Sequence, residues 1–292
     1  MLPSPQQRML TQTLFATGKV RLGRFEARPE EPLFRAGEPP GHYLVAFPET
    51  ALAIRYDGVG EFVVDPTSVT YYHPDQCYQR RPISPLGDRC HWLSLDQIAL
   101  EELLADSGQQ SLHRRRFRHP VAHCTASLFA AQRALFASAQ RPGNCLGIEE
   151  SAMTLMRALI GLQQDSKPSL GGQPLSPSAR RSVRQAQAFL AAHYQEDHCL
   201  SEIARQADCS PFHLARAFRQ RTGHSLHAYR TALRLRHGLR ALGSGPDLSQ
   251  LALDLGYSSH SHFSAQFKRY FGGSPSAIAA GLRIPAGNRA GI

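Results

Sequence analysis

The sequence predicts a two-domain protein: an N-terminal antiparallel β barrel followed by helices, and a C-terminal all-α domain with two helix-turn-helix units. Three observations predict this fold class. Segments rich in β-branched and aromatic residues alternate with turn residues between positions 42 and 95, Pro, Gly and Ser crowd residues 164–178, and one pattern occurs twice after residue 199. The predicted domains are therefore 1–163 and 179–285, with 164–178 as the linker.

The strand prediction depends on five short segments interrupted by turn formers such as Asp57, Gly58 and Pro66. Closely spaced strands of this kind favour an antiparallel barrel or sandwich. The five segments are 42–47, 52–56, 61–64, 68–72 and 90–95.

Three segments after the strands, 96–105, 121–139 and 148–163, carry apolar residues at helical spacing. The apolar stripes of the second and third fit two roles equally well. They pack on the barrel of the same chain, or they form the interface of a homodimer.

The start of the chain lacks the apolar segment of a signal peptide, and no stretch approaches the ~18 apolar residues of a membrane span. These features predict a cytoplasmic protein with no membrane partner.

The positive charge of the chain is concentrated near its C-terminus. The 292 residues carry 33 Lys and Arg against 23 Asp and Glu, and 42% of them are hydrophobic, which excludes a wholly disordered basic chain. Residues 1–176 hold 18 basic and 17 acidic side chains, whereas residues 177–292 hold 15 and 6. This local excess indicates a polyanionic partner for the C-terminal domain.

The repeat begins where residues 200–204 (Leu-Ser-Glu-Ile-Ala) match residues 248–252 (Leu-Ser-Gln-Leu-Ala). Each copy has the pattern of a helix, a tight turn and a second helix. In the first copy, Ser210 is suited to the N-cap and Pro211 to the first position of the second helix, which Gly223 ends. A helix-turn-helix places its second helix in the major groove, so double-stranded DNA is the predicted partner.

The residues of the repeat also match a known family. They are Ser210-Pro211-Phe212-His213-Leu214-Ala215-Arg216-Ala217-Phe218, Gly223-His224-Ser225, Tyr229, Gly256-Tyr257-Ser258, Ser261-His262-Phe263, Phe267-Lys268 and Gly272-Gly273-Ser274-Pro275. Over residues 182–280 the chain resembles the AraC/XylS family of bacterial transcription regulators. The resemblance implies a seven-helix DNA-binding domain with recognition helices at about 211–222 and 259–271.

The resemblance implies base contacts from both recognition helices. Arg216 is the strongest candidate, because its guanidinium group suits the O6 and N7 atoms of guanine. Two departures from the family are Ala265, where a polar or basic residue is frequent, and Ile278-Ala279 in place of an aromatic–Arg pair. The predicted DNA-binding residues are Phe212, His213, Ala215, Arg216, Arg219, His260, Ser261, Ser264 and Lys268.

The N-terminal domain resembles, more weakly, the cupin-like domain that precedes the same DNA-binding domain in many family members. That resemblance implies a small-molecule effector bound inside the barrel and dimerisation through the helices that follow. The candidate effector-binding residues are His42, Tyr72, His73, Tyr78 and Arg80.

The N-terminal domain allows two alternative interpretations. A metal-dependent cupin enzyme would carry a His-x-His pair, which residues 1–130 lack, so the sequence predicts no enzyme, no catalytic residue, no cofactor and no metal site. A thiol- or metal-responsive regulator stays open. Cys77 and Cys90 flank a turn and could act as a thiol pair or join His73 or His91 at a soft metal.

Overall fold

The computed structural model of the chain describes residues 11–31, 34–37, 39–106, 117–164 and 175–282. The chain divides into two compact units: one comprises Met1–Asp165 and Ala279–Ile292, and the other is Ser166–Ile278. Most of the predicted linker lies outside the described residues. Within those residues, no helix combines the length and the apolar character needed to cross a bilayer.

The first unit contains two antiparallel sheets. One has the strand order β1-β2-β9-β4-β7-β10, and the other has the order β3-β8-β5-β6. In the described residues no strand pairing joins the two ladders, so the barrel is open. The strands are β1 (Thr11–Ala16), β2 (Val20–Ala27), β3 (Ala36–Gly37), β4 (Leu44–Pro48), β5 (Leu52–Tyr56), β6 (Gly60–Val64), β7 (Ser68–Tyr72), β8 (Tyr78–Pro82), β9 (Asp88–Leu95) and β10 (Val121–His123).

The five predicted strand segments coincide with β4, β5, β6, β7 and β9 to within two residues at each end. The other five strands were not predicted. Polar and charged residues dilute the strand pattern in two of them, since β2 reads Val-Arg-Leu-Gly-Arg-Phe-Glu-Ala and β8 reads Tyr-Gln-Arg-Arg-Pro. Both are nevertheless interior strands of their sheets.

The prediction of one helix over residues 121–139 was wrong at its start. Residues Val121–His123 form β10, which pairs with β7 through Val121 and Thr70. The helix begins only after Thr125, whose hydroxyl oxygen accepts a hydrogen bond from the Leu128 amide at 3.3 Å. This N-cap fixes the helix start, as Thr commonly does.

Two inner sheet faces enclose the core of the first unit. Gly23 on β2 lies opposite Trp92 on β9, and a Cβ atom at Gly23 would lie 2.2 Å from the indole ring. Glycine is therefore required there for the ring to lie against the strand. The buried core consists of Ala27, Phe34, Ala46, Leu52, Ile54, Tyr56, Val64, Tyr72 and Trp92.

Among the described residues, three helices lie wholly in the first unit: α1 (Gln97–Asp106), α2 (Ala126–Ser138) and α3 (Cys145–Gln164). Helices α2 and α3 pack on each other, and α3 also contacts β2. Their apolar stripes are buried within this single chain, with Phe136 1% and Leu159 0% exposed. Of the two roles that the sequence allowed, the structure shows packing within the chain.

In the described residues the second unit contains the helices α4 to α9 and the start of α10, because its boundary falls at Ile278. Helix α4 contacts α5, α6 and α7, while α9 contacts α7 and α8. The helices are α4 (Pro177–Ala192), α5 (Leu200–Gln206), α6 (Pro211–Thr222), α7 (Leu226–Leu242), α8 (Leu248–Asp254), α9 (His260–Phe271) and α10 (Pro275–Leu282).

The two helix-turn-helix copies share a left-handed turn residue. Asp208 has a φ of 51° between α5 and α6, and Gly256, 48 positions later, has a φ of 78° between α8 and α9. Only the second position requires glycine for steric reasons. A Cβ atom at Gly256 would lie 2.0 Å from the carbonyl oxygen of Gln195.

Arg234 on α7 stabilises the close approach of Gly256 to the carbonyl group of Gln195. Its guanidinium group, in a residue only 8% exposed, donates hydrogen bonds to four carbonyl oxygens and lies over the ring of Tyr257. Three of the carbonyls precede α5 and the fourth is in the turn before α9. The acceptors are Tyr194 (2.6 Å), Gln195 (3.1 Å), Glu196 (3.1 Å) and Gly256 (2.9 Å).

Replacing Gly256 with Ala should lower the free energy of unfolding by more than about 2 kcal/mol, because backbone strain adds to an overlap with Gln195. The matched control is Gly245→Ala, since Gly245 has a φ of 71° but nothing within 4 Å of a built Cβ atom. Urea unfolding followed by circular dichroism measures both variants. Equal losses in the two would contradict the role of the overlap.

Candidate nucleic-acid interface and ligand cavity

Helix α6 is a recognition helix with one buried face and one exposed face. Ser210 caps it by accepting a hydrogen bond from the His213 amide at 3.3 Å, and Gly223 ends it with a φ of 76°. Leu214 and Phe218 are fully buried against the rest of the unit. The opposite face is left to solvent.

The exposed face of α6 carries most of its predicted DNA-binding residues. His213, Arg216 and Arg219 are exposed, and Ala215 is half-buried. Phe212 is 79% exposed, which packing within the chain does not explain. An exposed aromatic side chain in the first turn of a recognition helix is suited to apolar contact with a thymine methyl group.

Helix α9 repeats this design. Ser259 caps it through the His262 amide at 3.2 Å, Gly272 ends it with a φ of 81°, and Phe263 and Phe267 are fully buried. The predicted residues His260, Ser261 and Lys268 are exposed, and Ser264 is half-buried.

The surface of α9 is more polar than that of α6. Ser264 Oγ lies 3.1 Å from His260 Nε2. Together, these two side chains can therefore present one hydrogen-bond donor and one acceptor to a bound partner. The exposed Ala265 leaves the N-terminal half of α9 without a long basic side chain, so short polar groups and histidines make up the exposed surface there.

Not all of the arginine excess faces solvent. Arg234 is bound to carbonyl groups, and Arg236 is fully buried, with its guanidinium group donating to the Tyr270 hydroxyl at 3.0 and 3.1 Å. These two α7 arginines stabilise the domain from within. The basic surface that faces solvent is therefore smaller than the count of Lys and Arg over residues 177–292 indicates.

A further basic cluster, which the sequence did not indicate, lies near the recognition helix α6. Burial and the charges of Arg180 and Arg184 on α4 lower the pKa of Arg221 on α6. Like charges placed near one another make this part of the surface favourable for a nearby anion such as a DNA phosphate. Arg180 and Arg184 lie one turn apart on α4, but only the packing of α4 against α6 brings them near Arg221, so the sequence does not show the full cluster.

A cavity of about 130 Å³ lies between the two sheets of the first unit. A cavity of this size holds a small aromatic molecule. His42, Tyr72, Tyr78 and Arg80, four of the five predicted effector residues, line it. The apolar part of the lining comes from residues such as Phe25, Leu44, Ala46, Leu52, Ile54, Val64 and Trp92.

The fifth predicted residue, His73, lies elsewhere. It does not line the cavity, and its ring centroid lies 5.8 Å from that of Tyr43 and 5.4 Å from that of Phe117. Successive residues of an extended chain point to opposite faces of a sheet. Because Tyr72 faces the cavity, its neighbour faces away.

A buried ion pair forms one side of the cavity. Arg80 Nη1 lies 2.7 Å from Asp88 Oδ2, and the guanidinium group is 4.9 Å from the centre of the Phe25 ring. Burial raises the pKa of Asp88, although the positive charge of Arg80 opposes that rise. Burial also acts against the charge of Arg80, but Tyr78 and Asp88 raise its pKa overall.

The cavity wall contains polar atoms that have no hydrogen-bond partner among the described residues. Among them are Nε1 of Trp92, a residue 4% exposed, and Nε2 of His42. Burial and the nearby charge of Arg21 lower the pKa of His42, which favours the neutral imidazole. The cavity therefore offers an indole donor and an imidazole nitrogen to a bound molecule.

The hypothesis of a thiol or metal sensor in the N-terminal domain is weakened by the surroundings of its residues. Burial raises the pKa of Cys90, which keeps it as the unreactive thiol. Both ring nitrogens of His91 are engaged: Nδ1 lies 2.6 Å from Gln132 Nε2, and Nε2 lies 3.2 Å from Arg24 Nε. Cys77 is exposed and free.

Two capped second helices in one domain define a C-terminal domain of the helix-turn-helix class, and comparison with known proteins agrees. Residues 203–280 match the family described as "Helix-turn-helix domain". The C-terminal domain is of the AraC/XylS type, as the sequence analysis predicted.

Related proteins match over the same part of the chain. The HTH-type transcriptional regulator GlxA of Rhizobium meliloti is 42% identical over 78 residues, which are 26% of this chain and 24% of GlxA. The HTH-type transcriptional activator RhaS of Klebsiella pneumoniae is 33% identical over 118 residues, 39% of this chain and 41% of RhaS. The chain thus spans less than half the length of these relatives.

Among solved structures, ToxT from Vibrio cholerae aligns with 90% of this chain and 99% of its own, at 12% identity and a TM-score of 0.37.

Replacing Arg216 with Ala should cost about 1–3 kcal/mol of affinity for a DNA duplex selected by the wild-type chain, and much less for a scrambled duplex. Lys268→Ala should weaken both duplexes to a similar extent, because a phosphate contact carries little sequence information. Fluorescence anisotropy titrations measure all four affinities. Equal losses on the two duplexes for Arg216→Ala would rule out base readout by this residue.

Proposed function

We propose that this protein is a sequence-specific transcriptional regulator that binds double-stranded DNA through α6 and α9 and responds to a small molecule bound in its N-terminal cavity. The observation that carries the proposal is the duplicated helix-turn-helix. Each recognition helix buries an apolar face, with Leu214, Ala217 and Phe218 in α6 and Phe263 and Phe267 in α9, and exposes polar or basic side chains along its other face. Two such helices suit successive major grooves, roughly 34 Å apart.

The relatives support regulation of transcription as the outcome of DNA binding. GlxA is a transcriptional regulator and RhaS is a transcriptional activator, and both match this chain over its DNA-binding domain. This kinship supports a role that is regulatory rather than enzymatic. Binding to DNA in turn supports a location in the cytoplasm.

The cavity supports a small-molecule effector of defined chemistry. Most of its wall is apolar, and Trp92, His42 and the pair of Arg80 with Asp88 supply the polar groups. A compact molecule with an aromatic or aliphatic body and one polar group, able to accept from the indole N–H, suits this lining.

We also propose that the protein acts as a homodimer. The stripes of α2 and α3 are buried within the chain, so the dimer interface would use other surfaces. Leu146 at the start of α3 is 68% exposed and Ile98 on α1 is 67% exposed. Sedimentation of the full chain distinguishes a dimer from a monomer.

Trp92 is the only tryptophan of the chain and lies in the cavity wall, so its fluorescence should report binding of the effector. A screen of small metabolites should find compounds that change this emission and, in the same concentration range, the affinity for DNA. Ala46→Leu should weaken both effects at least about tenfold, because the added carbons occupy the cavity.

The control for this experiment is Ala105→Leu, the same change at an exposed position of α1. It should leave both effects unaltered. A compound that still changes DNA affinity in Ala46→Leu as it does in the wild type would place the effector site outside the cavity and contradict this part of the proposal.

A further inference from the structure

Three potential metal ligands meet in the segment between α4 and α5. His193 Nδ1 lies 3.0 Å from Glu196 Oε1, and His198 Nε2 lies 3.2 Å from Glu196 Oε2. One ligand atom from each residue falls within 4.8 Å of the other two. None of these residues was among the predicted site residues, and the sequence predicted no metal site.

The contact between His198 and Glu196 is close but is not a hydrogen bond. Nε2 of His198 has no hydrogen-bond partner in the described residues, although it lies beside the carboxylate. The ring nitrogen of His198 points toward a carboxylate without the geometry of a hydrogen bond. A cation bound by both groups would satisfy the nitrogen better than this contact does. Two imidazole nitrogens and one carboxylate oxygen form a donor set that Zn²⁺ accepts readily.

The backbone holds these side chains in place before any ion binds. Arg234 binds the carbonyl groups of the three residues 194–196, and the Glu196 amide donates to the carbonyl of His193 at 3.1 Å. Both imidazole rings pack on Phe189, with centroid distances of 4.7 and 4.8 Å. The backbone and the two imidazole rings therefore lose little conformational entropy when the ligands close on an ion.

A second carboxylate lies behind His198. Glu202 Oε2 is 3.7 Å from His198 Nδ1, and it also accepts a hydrogen bond from the Cys199 amide at 2.8 Å, which caps α5. A carboxylate beside the remaining nitrogen of a ligating histidine commonly orients the ring and raises its basicity. Asp197 is engaged separately, because it forms an ion pair with Arg230 at 2.8 Å.

We propose that His193, Glu196 and His198 bind a divalent transition-metal ion, with Zn²⁺ as the best match, and that this ion stabilises the DNA-binding domain. The exposed Glu196 leaves the remaining coordination position to water. The site joins the end of α4 to the start of the first helix-turn-helix. Through Arg234 the same segment is linked to the turn of the second. A bound ion therefore restrains the segment on which both units depend.

The binding test uses the full chain and Zn²⁺ in competition with a chromogenic chelator. The wild type should bind one Zn²⁺ per chain at this site, and His193→Gln and Glu196→Gln should each weaken binding at least about tenfold. The matched control is His227→Gln, because His227 is an exposed histidine of α7 and lies outside this cluster. Unchanged Zn²⁺ affinity in both ligand variants, or no binding by the wild type, would overturn the proposal.

The six free cysteines of the chain are competing ligands, so the donor atoms need a separate measurement. X-ray absorption of the Zn²⁺-loaded chain should show nitrogen and oxygen neighbours only. Sulfur neighbours that persist in His193→Gln would mean that Zn²⁺ binds elsewhere, and would also overturn the proposal.

Thermal unfolding tests the structural consequence. Zn²⁺ should raise the melting temperature of the wild type and of His227→Gln but not that of Glu196→Gln, and all three should melt alike in the presence of a chelator. A rise of equal size in Glu196→Gln would contradict stabilisation through this site. These readouts need no DNA, so their failure would leave the proposed regulatory function untouched.

Discussion

The arrangement of the DNA-binding domain depends on the buried guanidinium group of Arg234. A charged group in the interior is costly unless its donors are satisfied, and here four carbonyl oxygens accept from it. Three belong to the segment that leads into the first helix-turn-helix, and the fourth belongs to Gly256 in the turn of the second. One side chain on the connecting helix thus fixes both units, and Gly256 is required because no Cβ atom fits between it and Gln195.

This arrangement explains why local sequence patterns predicted some features and missed others. The recognition helices were predicted almost to the residue, because Ser, Pro and Gly at helix ends act through neighbours in sequence. The role of Arg234 could not be predicted in the same way. Its acceptors are up to 40 residues away, so an arginine in a basic helix was indistinguishable from one that faces DNA.

The N-terminal unit shows the same limit. Strands rich in β-branched and aromatic residues, such as β7, were predicted correctly, whereas β8 was missed because its arginines resemble a solvated turn. Arg80 can be buried in β8 because Asp88, at the start of β9, supplies the opposite charge. Four of the five residues predicted for the effector site do line the cavity. His73 is excluded by the alternation of side chains along an extended chain, which could be applied only once it was known that Tyr72 faces the cavity.

The most direct test of a double helix-turn-helix regulator is a hydroxyl-radical footprint of the full chain on DNA selected from a random pool. Two protected segments centred about 10 base pairs apart on one face of the duplex are expected, and an insertion of about 5 base pairs between them should abolish specific binding, because it turns the second site to the opposite face. A single protected segment, with affinity indifferent to the insertion, would contradict the conclusion that both recognition helices read DNA together.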